Sequence, residues 1–203
     1  MAITYRELQP SDWPALESLF GPTGASGGCW CMWWRVERGG RLWEQTKGAR
    51  AKAEFRRRVK SDAVHGILAR DGARAVGWAT FGPRRDFPRL ETVKAFRAPD
   101  AAAVWSIPCF FIHRDYRGRG VCRGLLKASI AAARRHGARV LEAYPVTTTA
   151  DGRRMASAFA YTGPLRVFED AGFREVQRLT PTRPLVRLTL GARRKSQPPT
   201  RGG

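Results

Sequence analysis

The sequence predicts an α/β fold with a mixed sheet, and three observations predict it. Segments with helix period and segments with strand period alternate along the chain instead of falling into separate blocks. Hydrophobic residues make up 43% of 203, and a chain of this size buries roughly 70% of its unfolded surface, enough for one real core. A nearly continuous apolar strand, "VWSIPCFFIH", runs through a loop of Gly and Arg directly into an amphipathic helix.

The elements follow in chain order. Ile3 to Leu8 alternates like a short strand, and Ser11 or Asp12 then caps a helix with apolar positions Trp13, Leu16, Leu19 and Phe20. "GPTGASGG" is a loop by composition. Helical material after "CWCMWWR" includes "ARAKAEFRRRVKSD", whose narrow stripe of Ala53, Phe55 and Val59 suits a cover over an edge of the domain. "VHGILAR" and "RAVGWATFG" form a hairpin across "DGA". "GPRRDFPRLETVKAFRAPD" reads as a long loop, and "VWSIPCFFIH" as a buried strand. The helix from Val121 to His136 places Cys122, Leu126, Ile130 and Ala133 on one face, and Gly137 ends it. "ARVLEAYPV" is a strand, "TTTADGRRMAS" a loop, "GPLRVFEDA" a short helix stopped by Gly172, and "FREVQRL" and "PLVRLTL" two closing strands. The domain spans 1–190, and the basic tail 191–203 reads as disordered.

Composition excludes several classes. The opening "MAITYRELQPSDW" has no apolar core of a secretory signal. The longest nearly apolar run, Ala101 to Ile112, is broken by Ser106 and Pro108, and a membrane span needs about 20 residues. The expectation is a soluble cytoplasmic protein with no membrane partner. Cys29, Cys31, Cys109 and Cys122 lack a matching His/Cys set at zinc spacing, so no metal site is expected. The net charge of +20 is heaviest in the second half. It fits an arginine-biased composition, a cleft for cofactor phosphates, or a nucleic-acid or ribosome partner, and charge alone does not separate these.

The chemistry centres on "CFFIHRDYRGRGVCRGLL". Glycines let backbone amides approach a ligand, and the first turn of a helix presents unpaired N–H groups and a positive dipole end. With Arg117, Arg119 and Arg123 alongside, this is an anion site suited to a diphosphate. The loop lacks the Gly-Lys-Ser/Thr ending of a Walker loop. Its glycines, Gly118, Gly120 and Gly124, are spaced one residue too long for a dinucleotide fingerprint.

"RGRGVC" at Arg117 to Cys122 resembles the Arg/Gln-x-x-Gly-x-Gly/Ala signature of the GNAT (general N-acetyltransferase) superfamily, apart from Cys122 at the last position. "FFIHRDY" before it, "RGLL" after it and the later "VFEDAGF" are similar to the same family, over about Ile3 to Leu190. The resemblance implies a single domain with a mostly antiparallel sheet of six or seven strands, and acetyl-CoA as acyl donor. It implies that the strand Phe110, Phe111 and Ile112 binds the pantetheine arm through its backbone. The amides of Arg117, Gly118, Arg119, Gly120, Val121 and Cys122 would hold the pyrophosphate. Direct transfer to a primary amine is the activity it implies.

Acyl transfer needs a deprotonated amine, a stabilised oxyanion and a protonated leaving thiolate. The family often carries the thiolate's acid as a Tyr four residues before the Gly of "GF"; here that position is Phe168. Tyr161 and Tyr144 are the phenols that can substitute, and Glu142 is the candidate base. Each also reads as a packing or strand residue. Trp30, Met32, Trp33 and Trp34 are candidates for an acceptor pocket, or for core at a helix start. The pocket reading implies a small amine with an apolar part. A protein or aminoacyl-tRNA acceptor, a non-catalytic CoA- or nucleic-acid-binding module, and a homodimer are the alternatives left open.

Overall fold

The computed structural model describes residues 2–37, 39–92, 96, 104–147 and 160–191. Seven strands form one sheet: β1 (Thr4–Glu7), β2 (Gly66–Asp71), β3 (Arg74–Pro83), β4 (Val104–Ile112), β5 (Val140–Ala143), β6 (Arg174–Thr180) and β7 (Arg183–Thr189). Their spatial order is β1-β2-β3-β4-β5-β7-β6. All neighbours are antiparallel except β4 and β5. The single α/β domain is the fold that the sequence predicts. A parallel pair needs a crossover, and α5 (Val121–Arg135) provides it between β4 and β5.

The two faces carry different cores. On one face Val121, Leu125, Leu126 and Ile130 of α5 pack over Ile67, Ala79, Phe81 and Ile107. Gly77 permits the approach, since a Cβ there would lie 2.9 Å from Val121 Cγ1. Cys122, expected on this buried stripe, is half-buried at the lip of a cleft instead. On the other face lie α1 (Trp13–Phe20) and α3 (Ala49–Lys60). Their Phe20 and Phe55 stack at 6.2 Å and meet Trp78 of β3 edge-on. The buried stripe of α3 is Ala51, Phe55 and Val59, not Ala53. This helix therefore covers a sheet face and not an edge, because i, i+4 spacing from Phe55 selects Ala51. Full burial of one such Phe contributes about 1.5–3 kcal/mol.

Asp12 stands at the N-cap of α1, yet its carboxylate does not cap that helix. It accepts from the Gln9 N–H at 2.8 Å and from Arg6 and Arg70, tying β1 and β2 to the turn before α1. The stretch read as a long loop is partly ordered. It contains a helical turn at Arg84–Asp86 and a short α4 (Arg89–Thr92), while 93–95 and 97–100 lie outside the described residues. The expected loop beyond Thr147 and the basic tail beyond Gly191 fall largely outside them as well. The remaining helices are α2 (Arg41–Thr46) and α6 (Leu165–Asp170).

One break in the sheet positions the site. β4 pairs with β5 only from Val104 to Ile107, and its ladder to β3 shifts register between Thr80 and Gly82, opposite the same place. Pro108 stands there with no N–H to give either neighbour. Beyond it, Cys109 to Ile112 run on without β5 beside them.

Candidate active site

The opening beside β4 is occupied by the chain just before α6. The Phe110 N–H donates to the Tyr161 carbonyl at 2.6 Å, and the Val146 N–H donates to the Gly163 carbonyl at 2.9 Å. Residues 160–164 thus lie in the fork where β4 and β5 part. A cleft of about 320 Å³ is bounded by Phe110, Ile112, Arg117, Cys122, Tyr161 and Gly163. The Phe110 amide is engaged here, and the Ile112 carbonyl accepts from Arg117 Nε at 3.2 Å. A strand-like ligand using those groups must displace these contacts.

The loop into α5 is braced from below. Tyr116 donates to Asp71 at 2.9 Å, and the guanidinium groups of Arg74 and Arg119 lie 5.6 Å and 5.5 Å from its ring. His113 shapes the turn, its Nδ1 accepting from the Asp115 N–H at 3.4 Å. Gly118 and Gly120 take φ of +75° and +77°, and a Cβ on either would meet nothing within 4 Å. Backbone geometry therefore demands glycine, and the space above is open. Gly120 caps α5 without a side-chain hydrogen bond, so the first-turn N–H groups have no intrahelical acceptor, and Arg117 and Cys122 on either side of the cap border the cleft. Arg117 and Arg119 are exposed beside them, while Arg123 is tied to Asp170 at 2.8 Å. Open space, unpaired amides and exposed arginines together fit a diphosphate. Cys122 borders this cleft as a protonated thiol, pushed up to about 12 by burial.

A second cavity, about 450 Å³, shares Ala25, Ser26, Phe110, Phe111 and Tyr161 with this cleft. Trp33, Trp34, Trp43, Trp78 and Phe20 give it aromatic walls; among the described residues Lys47 is the charged one in its lining, and no carboxylate borders it. Of the four residues expected to hold the acceptor, Trp33 and Trp34 line it. Trp30 and Met32 are core, 3% and 2% exposed. Trp30 stacks on Trp13 at 6.0 Å, so its ring packs in the α1–α3 core. Trp43 and the thiols of Cys29, Cys31 and Cys109 also line the cavity and were missed from sequence. The signal for Trp43 was a lone indole in the polar run "RLWEQ".

The three proton-transfer candidates separate. Glu142 and Tyr144 are fully buried and border neither cavity. Glu142 accepts from Arg187 at 3.0 and 3.1 Å, from Ser106 at 3.3 Å, and from Arg84 and Tyr144. It is an internal counter-ion that ties β4, β5 and β7 to the Arg84 turn, so the base role expected of it is corrected. Tyr144 is likewise corrected. Its hydroxyl belongs to the same network, accepting from Arg84 at 2.8 Å, and burial pushes its pKa far up. Tyr161 borders both cavities and is half-buried. Burial raises its pKa, so it remains a proton donor at neutral pH. Phe168, where the resemblance places the usual acid, is fully buried against Phe110 and Phe173.

A strand that leaves its parallel neighbour and a glycine–arginine loop capping the next helix are the arrangement that the resemblance implies for an acetyl-CoA-dependent acyltransferase. The family model described as "Acetyltransferase (GNAT) family" matches residues 30–161, and the chain belongs to that family. Solved structures share the fold at low identity. One is yncA of Salmonella typhimurium with its cofactor acetyl-CoA, at 16% identity and TM-score 0.54 over 98% of this chain and 99% of that one. Another is the paia N-acetyltransferase of Thermoplasma acidophilum in complex with coenzyme A, at 11% and 0.53 over 94% and 100%. A ribosomal-protein-alanine N-acetyltransferase from Brucella melitensis follows at 18% and 0.52, over 92% and 99%. No curated protein matches the sequence. Among the described residues no group of His, Cys, Asp and Glu is arranged to hold a metal ion, and no helix is long and apolar enough to cross a membrane.

Proposed function

We propose that this chain transfers the acetyl group of acetyl-CoA directly to the primary amine of a small, apolar acceptor. The observation that carries the reading is that two cavities share Phe110, Phe111 and Tyr161 as a common wall. The donor lies along β4, with its diphosphate on the amides from Arg117 to Cys122 and on Arg117 and Arg119. The acceptor enters the aromatic cavity from the other side. Tyr161 is placed to protonate the leaving thiolate, and the apolar walls exclude water from the thioester. Walls of indole and phenyl without a carboxylate favour an aryl or arylalkyl amine over a polyamine. All four cysteines are free thiols, which supports a reducing compartment and a cytoplasmic location.

A second reading is an acetyltransferase of the same fold acting on a protein or an aminoacyl-tRNA, favoured by the net charge of +20 and by the ribosomal-protein enzyme among the structural relatives. Calorimetry with acetyl-CoA on wild type and Gly120→Trp, with thiol release across a panel of arylalkyl amines, polyamines and N-terminal peptides, separates them. The expected result is binding lost in the variant and turnover confined to apolar small amines. Turnover on the peptides alone supports the second reading; no binding to wild type overturns both.

A further inference from the structure

The position of Tyr161 rests on a cross-strand clamp. β7 opens at Arg183, before Val186, where its ladder to β5 starts. There the Arg183 Nη1 donates to the Tyr144 carbonyl at 3.1 Å and to Thr162 Oγ1 at 2.8 Å. The first contact takes the backbone just past β5, and the second takes the segment that fills the fork. Thr162 is fully buried. Pro184 follows Arg183 and restricts its backbone to the extended region, which suits the start of a strand.

The same segment is fixed from its other sides. The Tyr161 carbonyl accepts from the Phe110 N–H of β4, and the Leu165 N–H donates to the Val146 carbonyl at 2.9 Å. Gly163 takes φ of +84°, and a Cβ there would lie 2.9 Å from Phe168 Cε2, so the chain lies tight against α6. Tyr161 is thus suspended between β4 and the clamp. The Arg183 guanidinium stands beside its ring, with Cζ 5.9 Å from the centroid, and Tyr161 itself borders both the cleft and the aromatic cavity.

Resting on the acetyl-transfer reading above with Tyr161 as its acid, we propose that Arg183 is a positioning residue for that reaction. It holds Tyr161 in the fork and is the fixed cation beside the phenolate that proton donation leaves. The amine nitrogen bonds to the thioester carbonyl carbon, and the carbon–sulfur bond breaks. The Tyr161 O–H bond then breaks and its proton joins the leaving thiolate, so the thiol departs neutral and a phenolate stays behind. The surplus proton on nitrogen passes to that phenolate, which restores the phenol for the next turnover.

Two physical demands meet at this residue. A proton donor has to lie within hydrogen-bond reach of the atom it serves, and it keeps that reach only while its own supports are locked. Arg183 supplies the lock from β7, through contacts that are separate from the Tyr144 hydroxyl, which belongs to the Arg84 network. The second demand is electrostatic. Burial disfavours a phenolate, and an opposite charge held close favours it. For Tyr161 burial acts most strongly and raises the phenol, while Arg183 comes next and lowers it. Cys109 of β4 opposes Arg183, and Arg89 of α4 assists it.

The test is a double-mutant cycle. It reads kcat and KM on a turned-over amine for wild type, Arg183→Met, Tyr161→Phe and the double variant, with acetyl-CoA binding by calorimetry. Expected for Arg183→Met is a fall in kcat of about 10-fold with KM for the amine little changed, and a further fall of less than about 2-fold when it is added to Tyr161→Phe. Arg183→Lys keeps the charge and should recover part of the loss. Thr162→Val removes the hydroxyl that Arg183 reaches and keeps the shape, so it should lower kcat only where Tyr161 is present. Should Arg183→Met not fold, Thr162→Val carries the decision. Equal losses with and without Tyr161 overturn the positioning role, and equal rates in Arg183→Lys and Arg183→Met overturn the contribution of charge. Full rate in Tyr161→Phe overturns both the acid and its support, with acetyl transfer left standing. Failure of wild type to bind acetyl-CoA, or to turn over any amine, overturns the acetyl-transfer reading and the role of Arg183 with it.

Discussion

At the scale of single residues, burial separates chemistry from scaffolding. Glu142, a strand carboxylate by sequence, has both oxygens committed to Arg84 and Arg187. Glu142→Gln leaves two guanidinium groups without their shared anion, at a cost of about 3–5 kcal/mol. Urea denaturation should register that loss, with acetyl-CoA affinity little changed in the protein that remains folded. Tyr161 contrasts with it, its side chain bordering both cavities. Tyr161→Phe should lower kcat by about 10- to 100-fold with acetyl-CoA affinity retained. An acid must be protonated to act, and burial raises this phenol above its ordinary 10.0. Any loss of rate from its ionisation therefore begins only above that pH in a kcat profile. The glycine–arginine loop was legible in sequence because glycine and arginine spacing is a local code. The proposed proton donor was not, because Tyr144 and Tyr161 differ only in what folds around them.

At the scale of elements, periodicity identified each strand and most helices, while packing decided which stripe turned inward. The α3 stripe moved from Ala53 to Ala51 once Phe55 was set against Phe20 and Trp78. Pro108 is visible in the sequence, but its effect as the point where β4 leaves β5 depends on two neighbouring strands. Gly66 on β2 marks another close approach, since a Cβ there would fall 1.9 Å from Trp78 Cη2. Trp78 is fully buried and cannot swing aside. Gly66→Ala should therefore destabilise by about 1–3 kcal/mol, the range typical of overpacking, as read by a lowered denaturation midpoint. Displacing the indole also moves the N–H that reaches Cys31.

At the scale of the molecule, the two helical layers hold the sheet between separate cores, and the aromatic cluster at the start of β2 carries a pH response. His65 lies in an aromatic stack, 5.2 Å from Trp105 and 4.6 Å from His136. Burial first, and His136 second, lower its pKa below 6.5. The unfolded chain then takes up a proton near pH 6.5 that the folded chain does not, so stability falls as pH drops through that value and is unaffected above it. Thermal melts should stay level at and above about pH 7.5 and decline below 6.5, and His65→Gln should remove that step. By itself the sequence determined the alternation of elements, the glycine–arginine loop before α5 and the family, because hydrophobic period and turn chemistry act over a few residues at a time. Only the tertiary structure decided that Glu142 is a counter-ion, that Trp30 and Met32 are core while Trp43 faces a cavity, and that the Trp78 indole meets Cys31. Those are outcomes of contacts between segments far apart in the chain, and the cost of burying charge and the demand for close packing are set only where such segments meet.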